Sequence, residues 1–350
     1  MRVVLADPPA YTPAYDHELA AALARAGADV TLLTSRFRYG DVPAADGYTR
    51  DESLYRLSTR LGERHLRLAV KALEHSVVLA RLGVAGADIL HMQWLAAPQA
   101  DAWLLHSRAP LVLTAHDLLP RRTAQRLRTW RRLFGRFDRV ITHSERGRRT
   151  LAAFGVPEEK LRVIPLPASR SEVVRGDDGR TVLALGVIRP YKGLPDAIES
   201  VCRIDGARLL VAGDPRIPLD ELRRAAGDRV EWRLGYLSDT EVGRALSETT
   251  VAVLPYSAEL DQSAVLLQAL GAGIPAVVYD VGGLGELVGA FSAGRVVPFG
   301  DVDALTAALR ELLDDAGALA EARAGAARLR DELTWERSAA AHLALYRELL

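Results

Sequence analysis

Residues 186–193, GVIRPYKG, place two cations three positions apart in a turn bracketed by glycines. The chain has three lysines, Lys71, Lys160 and Lys192, against more than ten times as many arginines, and one of the three stands here beside Arg189. The apolar run TVLAL comes just before the turn, and LPDAIESV follows it with helical alternation. Pro190 stiffens the backbone between the cations, so a strand-to-helix turn of this kind can aim both at one anion. Each charge-assisted contact to a phosphate is worth about 1.5–3 kcal/mol. Two solvated cations on a surface loop would look the same in isolation, so the surroundings decide.

Those surroundings are PYSAELDQSAVLLQALGAGIPAVVYDVGG (255–283). A strand ends at a proline, a polar loop follows, and Asp261-Gln262-Ser263 opens an apolar helix that stops at Gly271 or Gly273. The start of a helix offers unpaired amides and the positive end of the dipole, here at Gln262, Ser263, Ala264 and Val265, which suits a diphosphate. Asp261 or Ser263 can cap the helix at the same time, because capping and anion binding use different amides. Further chemistry-bearing residues also follow apolar runs. His116 ends LVLTAH and is followed by Asp117, and Gln93-Trp94 follows DILHM. The loop ADPPAYTPAYDHE (6–18) carries Tyr11 and Tyr15, a stiff aromatic edge or an ordinary ordered loop. No Asp-x-Asp motif stands on an expected strand end and no His/Cys cluster has ligand spacing, so no metal is expected.

These residues need elements that bring strand ends together. Strands are expected at 2–6, 29–34, 88–94, 111–116, 139–144 and 162–166, and again at 181–186, 208–213, 229–235, 251–256, 275–280 and 295–299. Helices are expected at 17–27, about 63–82, 195–202, 219–226, 239–248, 263–272 and 303–328, with a last amphipathic helix at 334–350. Apolar strands without alternation, each followed by a helix, indicate parallel sheets covered on both faces. The polar, aperiodic stretch 167–180 is the expected linker. The expected fold is α/β, with two doubly wound, Rossmann-like domains facing across a cleft, in which ligands bind beyond the carboxyl ends of the strands.

Composition narrows the function. The formal net charge is zero, so no global field points to nucleic acid. One cysteine, Cys202, fits a reducing compartment. The N-terminus lacks a long apolar core, so no secretory leader is expected, and no apolar window reaches the roughly 18 residues of a membrane span; the expected location is cytoplasmic. The stretch 121–139 holds eight arginines and one acid, with Leu127, Trp130, Phe134 and Phe137 on one helical face. It reads as a helix packed on its domain, or as a peripheral contact with anionic lipid at the inner face of the membrane. Neither half carries GxGxxG, which argues against a nicotinamide or flavin enzyme.

GVIRPYKG, LLVAGD, LGYLSDTEV, VAVLPYSAELDQSAVLLQALGAGIPAVV and DVGGLGELV together resemble the nucleotide-sugar half of retaining GT-B glycosyltransferases of family 4, in the subset whose phosphate turn reads IRPYKG. LVLTAHDLLPR and VITHSERGRRTLAAFGVPEEKLRVIPLP resemble segments of the family's first domain, and SAAAHLALYREL resembles its terminal helix. The resemblance implies an acceptor-binding domain at 1–166, the linker, a donor-binding domain at 181–333, and a final helix at 334–350 crossing back to the first domain. It implies no cofactor and a nucleotide-diphosphate sugar as donor substrate, with UDP or GDP expected. The acceptor would be a hydroxyl of a saccharide, a lipid-linked glycan or a small metabolite.

By the same resemblance Arg189 and Lys192 neutralise the diphosphate as the sugar bond breaks, where charge develops and preorganised cations help most. Gly186 and the amides of 262–265 join them, Gln268 holds the ribose, Glu286 lies near the donor and Tyr236 or Leu237 near the base. His116 meets the donor sugar or the acceptor, and Tyr11, Tyr15, Gln93, Trp94 and Asp117 form the acceptor edge. Two departures stand out. Val187 occupies the place where many relatives carry the arginine, five before the lysine. Leu260 and Gln268 occupy the places of a glutamate pair, so Glu259 or Asp261 would have to replace the donor-sugar glutamate. Loss of both glutamates keeps an inactive binding subunit open as an alternative, and a nucleotide-sugar epimerase is a second.

Overall fold

The computed structural model of the chain describes residues 1–38, 40–62, 64–119, 125–169, 173–257 and 261–350, with only the backbone of residue 64. It divides into two compact units, Met1–Pro165 with Trp335–Leu350, and Leu166–Thr334.

The first unit runs β1 (Arg2–Asp7), α1 (Pro13–Arg25), β2 (Asp29–Ser35), β3 (Thr49–Leu54), α2 (Arg64–Gly83), β4 (Ile89–Met92), α3 (Pro98–Leu104), β5 (Leu111–Thr114), α4 (Leu127–Arg136), β6 (Arg139–Thr142), α5 (Glu145–Phe154) and β7 (Leu161–Val163). All pairings in its sheet are parallel, in the order β3-β2-β1-β4-β5-β6-β7. Successive side chains of a strand point to opposite faces. In β1, Val3 and Leu5 therefore join one core with Leu19 and Leu23 of α1, while Val4 and Ala6 join another with Leu79, Leu82 and Trp130. Burial on both faces is why these strands read as unbroken apolar runs.

The second unit runs β8 (Thr181–Leu185), α6 (Leu194–Cys202), β9 (Arg208–Gly213), α7 (Asp220–Ala226), β10 (Val230–Leu234), α8 (Asp239–Ser247), β11 (Val251–Leu254), α9 (Ala264–Gly271), β12 (Ala276–Tyr279), α10 (Gly282–Phe291), β13 (Gly294–Val297), α11 (Val302–Asp314) and α12 (Ala316–Glu332). Its sheet is also parallel, in the order β10-β9-β8-β11-β12-β13. The strand order reverses between β8 and β11 here, and between β1 and β4 in the first unit. Those reversals open the crevices where doubly wound sheets bind ligands. The chain then returns to the first unit as α13 (Trp335–Arg347), which packs on α1 and contributes Ala339, Leu343 and Tyr346 to its core.

Several expectations are corrected. The strands stop earlier than their apolar runs. Gln93 and Trp94 lie past the end of β4, and His116 past the end of β5. The single helix expected at 303–328 is two, because the Asp315 carboxylate accepts the amides of Gly317 and Ala318 (2.8 and 3.1 Å) and starts a new helix. The described part of 167–180 is built into the second unit. Ala168 is buried and its amide donates to Leu333 (2.9 Å), while Asp178 takes the amides of Arg180 and Thr181.

In the basic stretch, Trp130, Leu133, Phe134 and Phe137 are buried but Leu127 is exposed. The expected apolar face is thus committed to the core, and Arg132 and Arg136 turn back to donate to carbonyls of α3. What this stretch presents outward is Leu127, Gln125, Gly135, Asp138 and arginines; residues 121–124 lie outside the described residues. Among the described residues no helix is long and apolar enough to cross a membrane.

Candidate active site

In the second unit the turn after β8 folds as expected for a cradle. Gly186 (φ 92°) and Gly193 (φ 64°) take left-handed conformations around a single 3-10 turn, Pro190–Lys192. A side chain at Gly193 would place its Cβ 1.9 Å from the carbonyl oxygen of Pro255, so the turn after β8 presses directly on the loop after β11. The amide of Ser257 donates to Tyr191 (2.7 Å), tying the same two loops again. Tyr191 meets Tyr256 edge to face, with ring centroids 5.7 Å apart.

Lys192 is folded back into this cradle. Its Nζ donates to the carbonyl of Leu185 (3.0 Å) and lies 5.2 Å from the centre of the buried Tyr256 ring. A Cβ on Gly186 would stand 2.9 Å from that Nζ and 3.0 Å from Val265 Cγ2, which puts Gly186, Lys192 and the first turn of α9 in contact range of one another. Burial, and after it the charge of Arg189, bring the ammonium down to about 8. Arg189 itself is exposed and makes no ion pair among the described residues.

Ser263 caps α9 by accepting from Leu266 (3.3 Å). Helix geometry leaves the amides of Ala264 and Val265 without intrahelical acceptors, at the positive end of the dipole. Nearby, the buried oxygen Gln262 Oε1 lacks a hydrogen-bond partner among the described residues. The arrangement therefore offers two cations and a helix start along one sheet edge, the makings of an anion site.

The remaining expected donor residues are spread around this edge. Gln268 is half-buried on α9, Glu286 half-buried on α10, and Leu237 half-buried against the core. Tyr236 is 80% exposed. Asp261 is buried and has a partner, whereas Glu259 and Leu260 lie outside the described residues.

In the first unit the carboxyl edge of β1, β4, β5 and β6 carries an aromatic and histidine cluster. Trp94 stacks on His116 (5.3 Å, 16°), and its indole donates to Thr12 (2.8 Å). Tyr15 meets His116 edge on at 4.8 Å, and Tyr11 meets Trp94 edge on at 5.3 Å. His116 Nε2 lies 3.0 Å from the Gln93 amide and its Nδ1 3.3 Å from His143 Nε2. Burial first, then His143, hold His116 well below the usual range, so the ring is neutral. Asp117 is exposed and has a partner of its own.

The loop before Tyr15 is held from beneath. Asp7 accepts the amide of Thr12 (3.1 Å), and Asp7 and Asp16 are both buried. Burial pushes both carboxyls up, Asp16 the further because the charge of Asp7 adds to it. Tyr256, Thr12 and His143 were not singled out from the sequence. Tyr256 and His143 follow a strand end just as His116 does, and that positional rule alone would have found them; Thr12, directly before α1, would have escaped it. Among the described residues no group of three His, Cys, Asp or Glu side chains is placed to hold a metal ion.

Two doubly wound parallel sheets with polar carboxyl edges make the GT-B architecture. Sucrose-phosphate synthase from Thermosynechococcus elongatus matches it with a TM-score of 0.77 at 22% identity, over 100% of this chain and 99% of that one. Anabaena HepE in complex with UDP matches with a TM-score of 0.74 at 16% identity, over 100% of both chains. By sequence, residues 15–170 match the model Glycosyltransferase Family 4 and residues 179–315 the model Glycosyl transferases group 1.

The 2-deoxystreptamine glucosyltransferase of Streptomyces kanamyceticus is 30% identical over 82% of this chain and 76% of its own length. Glycogen synthase of Mycobacterium tuberculosis is 34% identical over 47% of this chain, which spans 42% of that relative. The chain belongs to the family 4, group 1 glycosyltransferases.

Proposed function

We propose that the protein transfers a glycosyl group from a nucleoside diphosphate sugar to an acceptor hydroxyl, with retention of configuration and without a metal. Within the family we assign it to the subset with an IRPYKG phosphate turn. The second unit takes the donor and the first unit the acceptor. The bond from the anomeric carbon to the diphosphate oxygen breaks, the acceptor oxygen forms the new bond on the same face, and its proton passes to the leaving diphosphate. Arg189, Lys192 and the amides of Ala264 and Val265 stabilise the charge that collects on that leaving group. Gln268 holds the ribose through its amide, and Glu286 lines the donor side.

One observation carries the reading: Lys192 Nζ is folded against Gly186 and beside the start of α9, with Arg189 unpaired in the same turn. The UDP complex of HepE supports UDP as the first nucleotide to try. The test is calorimetric titration with UDP, GDP and ADP, repeated on Lys192→Ala and in the presence of a chelator. One nucleotide is expected to bind with micromolar affinity, to weaken at least about tenfold in the variant (about 1.4 kcal/mol), and to be indifferent to the chelator. Absence of binding by the wild-type protein would remove the donor site, and with it the proposal.

A further inference from the structure

Helix α2 carries a second apolar stripe that the rest of the chain leaves bare. Its inner stripe, His75, Val78, Leu79 and Leu82, is buried. On the opposite side Val70, Leu73, Val77, Ala80 and Val84 follow one another at alternating steps of three and four residues, and Leu66 continues the spacing. At about 100° per residue these positions stay within one narrow sector, a seam about 27 Å long. Leu73 is 72% exposed, Val77 68% and Val84 66%. From residue 65 to residue 74 no side chain of α2 is buried at all. So short a stretch of helix has little stability of its own in water, and a helix apolar on two sides is normally covered on both. Beside α2, α3 adds the exposed Trp103 and Leu104 to the same helical layer.

The order of the side chains says what covers the stripe. The spacing averages 3.5 residues, the repeat that keeps a seam facing a second helix. In a heptad written abcdefg, Val70, Val77 and Val84 take a, while Leu66, Leu73 and Ala80 take d. β-Branched residues at a with leucine at d favour two parallel helices. A helix lying on lipid instead needs basic residues free to reach the headgroups. The charges beside this seam are turned into their own unit. The Glu74 carboxylate accepts the amides of Leu57 and Ser58 (2.8 and 2.9 Å), Arg81 pairs with Asp51, and Lys71 Nζ lies 5.0 Å from the centre of the Tyr55 ring.

The other border of the seam holds Ala69 and Ser76, small enough for a close approach. In parallel register Glu74 and Arg81 of one copy come opposite Ala69 and Ser76 of a second copy, so no like charges meet. Antiparallel pairing would set Glu74 against Glu74 and Arg67 against Arg81. We infer that α2 is a dimerisation helix: two copies of this chain pack along the 66–84 seam, parallel and in register, about a two-fold axis.

Sedimentation equilibrium of the full chain from about 1 to 100 μM tests this. The wild type is expected to dimerise with a micromolar Kd. Val77→Glu, at an exposed position of the monomer, is expected to keep its urea transition and to raise Kd at least about a hundredfold, because two carboxylates would meet in one apolar layer. Val77→Lys is expected to do the same. In parallel register position 77 meets itself, so an equimolar mixture of these two variants is expected to form a tighter dimer than a mixture of Val77→Glu with Leu73→Lys.

The reverse ranking overturns the parallel pairing, since position 77 would then meet position 73. A wild type that stays monomeric at 100 μM overturns the dimer, as does a Val77→Glu variant that dimerises as tightly as the wild type. Should the monomer instead bind vesicles of phosphatidylglycerol and phosphatidylcholine, and lose them through Val77→Glu, the stripe belongs to lipid and the inference fails. If Val77→Glu does not fold, the uncharged Val77→Ser carries the decision, with Kd expected to rise about tenfold and an unchanged Kd counting against the seam.

Discussion

At the scale of single residues, Lys192 makes the sharpest commitment. Burial and the Arg189 charge hold its ammonium at about 8 in the free protein. A bound diphosphate adds negative charge beside it and must raise that value, because an opposite charge favours the protonated form. Binding therefore takes up a proton near pH 8, and affinity falls as pH rises through that value. Calorimetry in buffers of different ionisation enthalpy reads the uptake. Lys192→Ala is expected to abolish it along with most of the affinity, and pH-independent binding by the wild type would show that Lys192 does not meet the ligand. Gly186→Ala gives a complementary readout. Its Cβ would crowd Lys192 Nζ and Val265 at a φ of 92°, so binding is expected to weaken even though no charge is lost. This much was legible in the sequence, since both cations and both glycines sit in one octapeptide. Tyr256 and His143 were not legible as partners, because each acquires its neighbour only when distant strand ends meet.

At the scale of elements, α13 places a titratable group where it cannot be solvated. His342 is fully buried, its Nδ1 2.8 Å from the carbonyl of Ser338 and its Nε2 without a partner among the described residues. Burial is the main cause that brings it down to about 4. In the unfolded chain the same ring titrates near 6.5, so between those values the unfolded state binds more protons. Its contribution to stability is complete above about pH 6.5 and is lost as pH falls toward 4. From pH 7 to pH 5 the loss attributable to this ring is about 2 kcal/mol. His342→Phe is expected to reduce the difference between the unfolding free energies measured in urea at those two pH values by that amount, and an unchanged difference would mean the ring is hydrated in the folded protein. The part of α13 that packs on the first unit was readable from its amphipathic repeat. What escaped the sequence were elements with weak periodicity. The edge strand β3, Thr49–Leu54, is polar because its outer side needs no cover, and α3, only seven residues long, gives too short a window to show a period. The break between α11 and α12 hid in an alanine-rich run, where only the cap at Asp315 marks it.

At the scale of the whole molecule, the two units differ in how the chain builds them. The second is continuous, Leu166–Thr334, and its ends are clamped together by the Ala168–Leu333 hydrogen bond. The first needs two separate stretches, because Ala339, Leu343 and Tyr346 complete the core over α1 and the Tyr346 hydroxyl meets buried His91 at 2.7 Å. A fragment of residues 166–334 is therefore expected to fold alone with a single cooperative urea transition. Residues 1–165 without the last helix expose that core and are expected to lose cooperativity, recovering it when 335–350 is supplied. The fragment also isolates the proposed donor site, since Gly186, Arg189, Lys192, Ser263 and Gln268 all lie within it. If UDP binds the full chain, it is expected to bind the fragment to within about 1 kcal/mol, or less than tenfold in Kd. A folded fragment that binds no nucleotide, beside a full chain that does, would mean that the anion is held by groups of the first unit. In that case the cradle of Gly186 and Lys192 would be a packing device of the β8–β11 edge, and the cations of the first unit would become the ones to mutate.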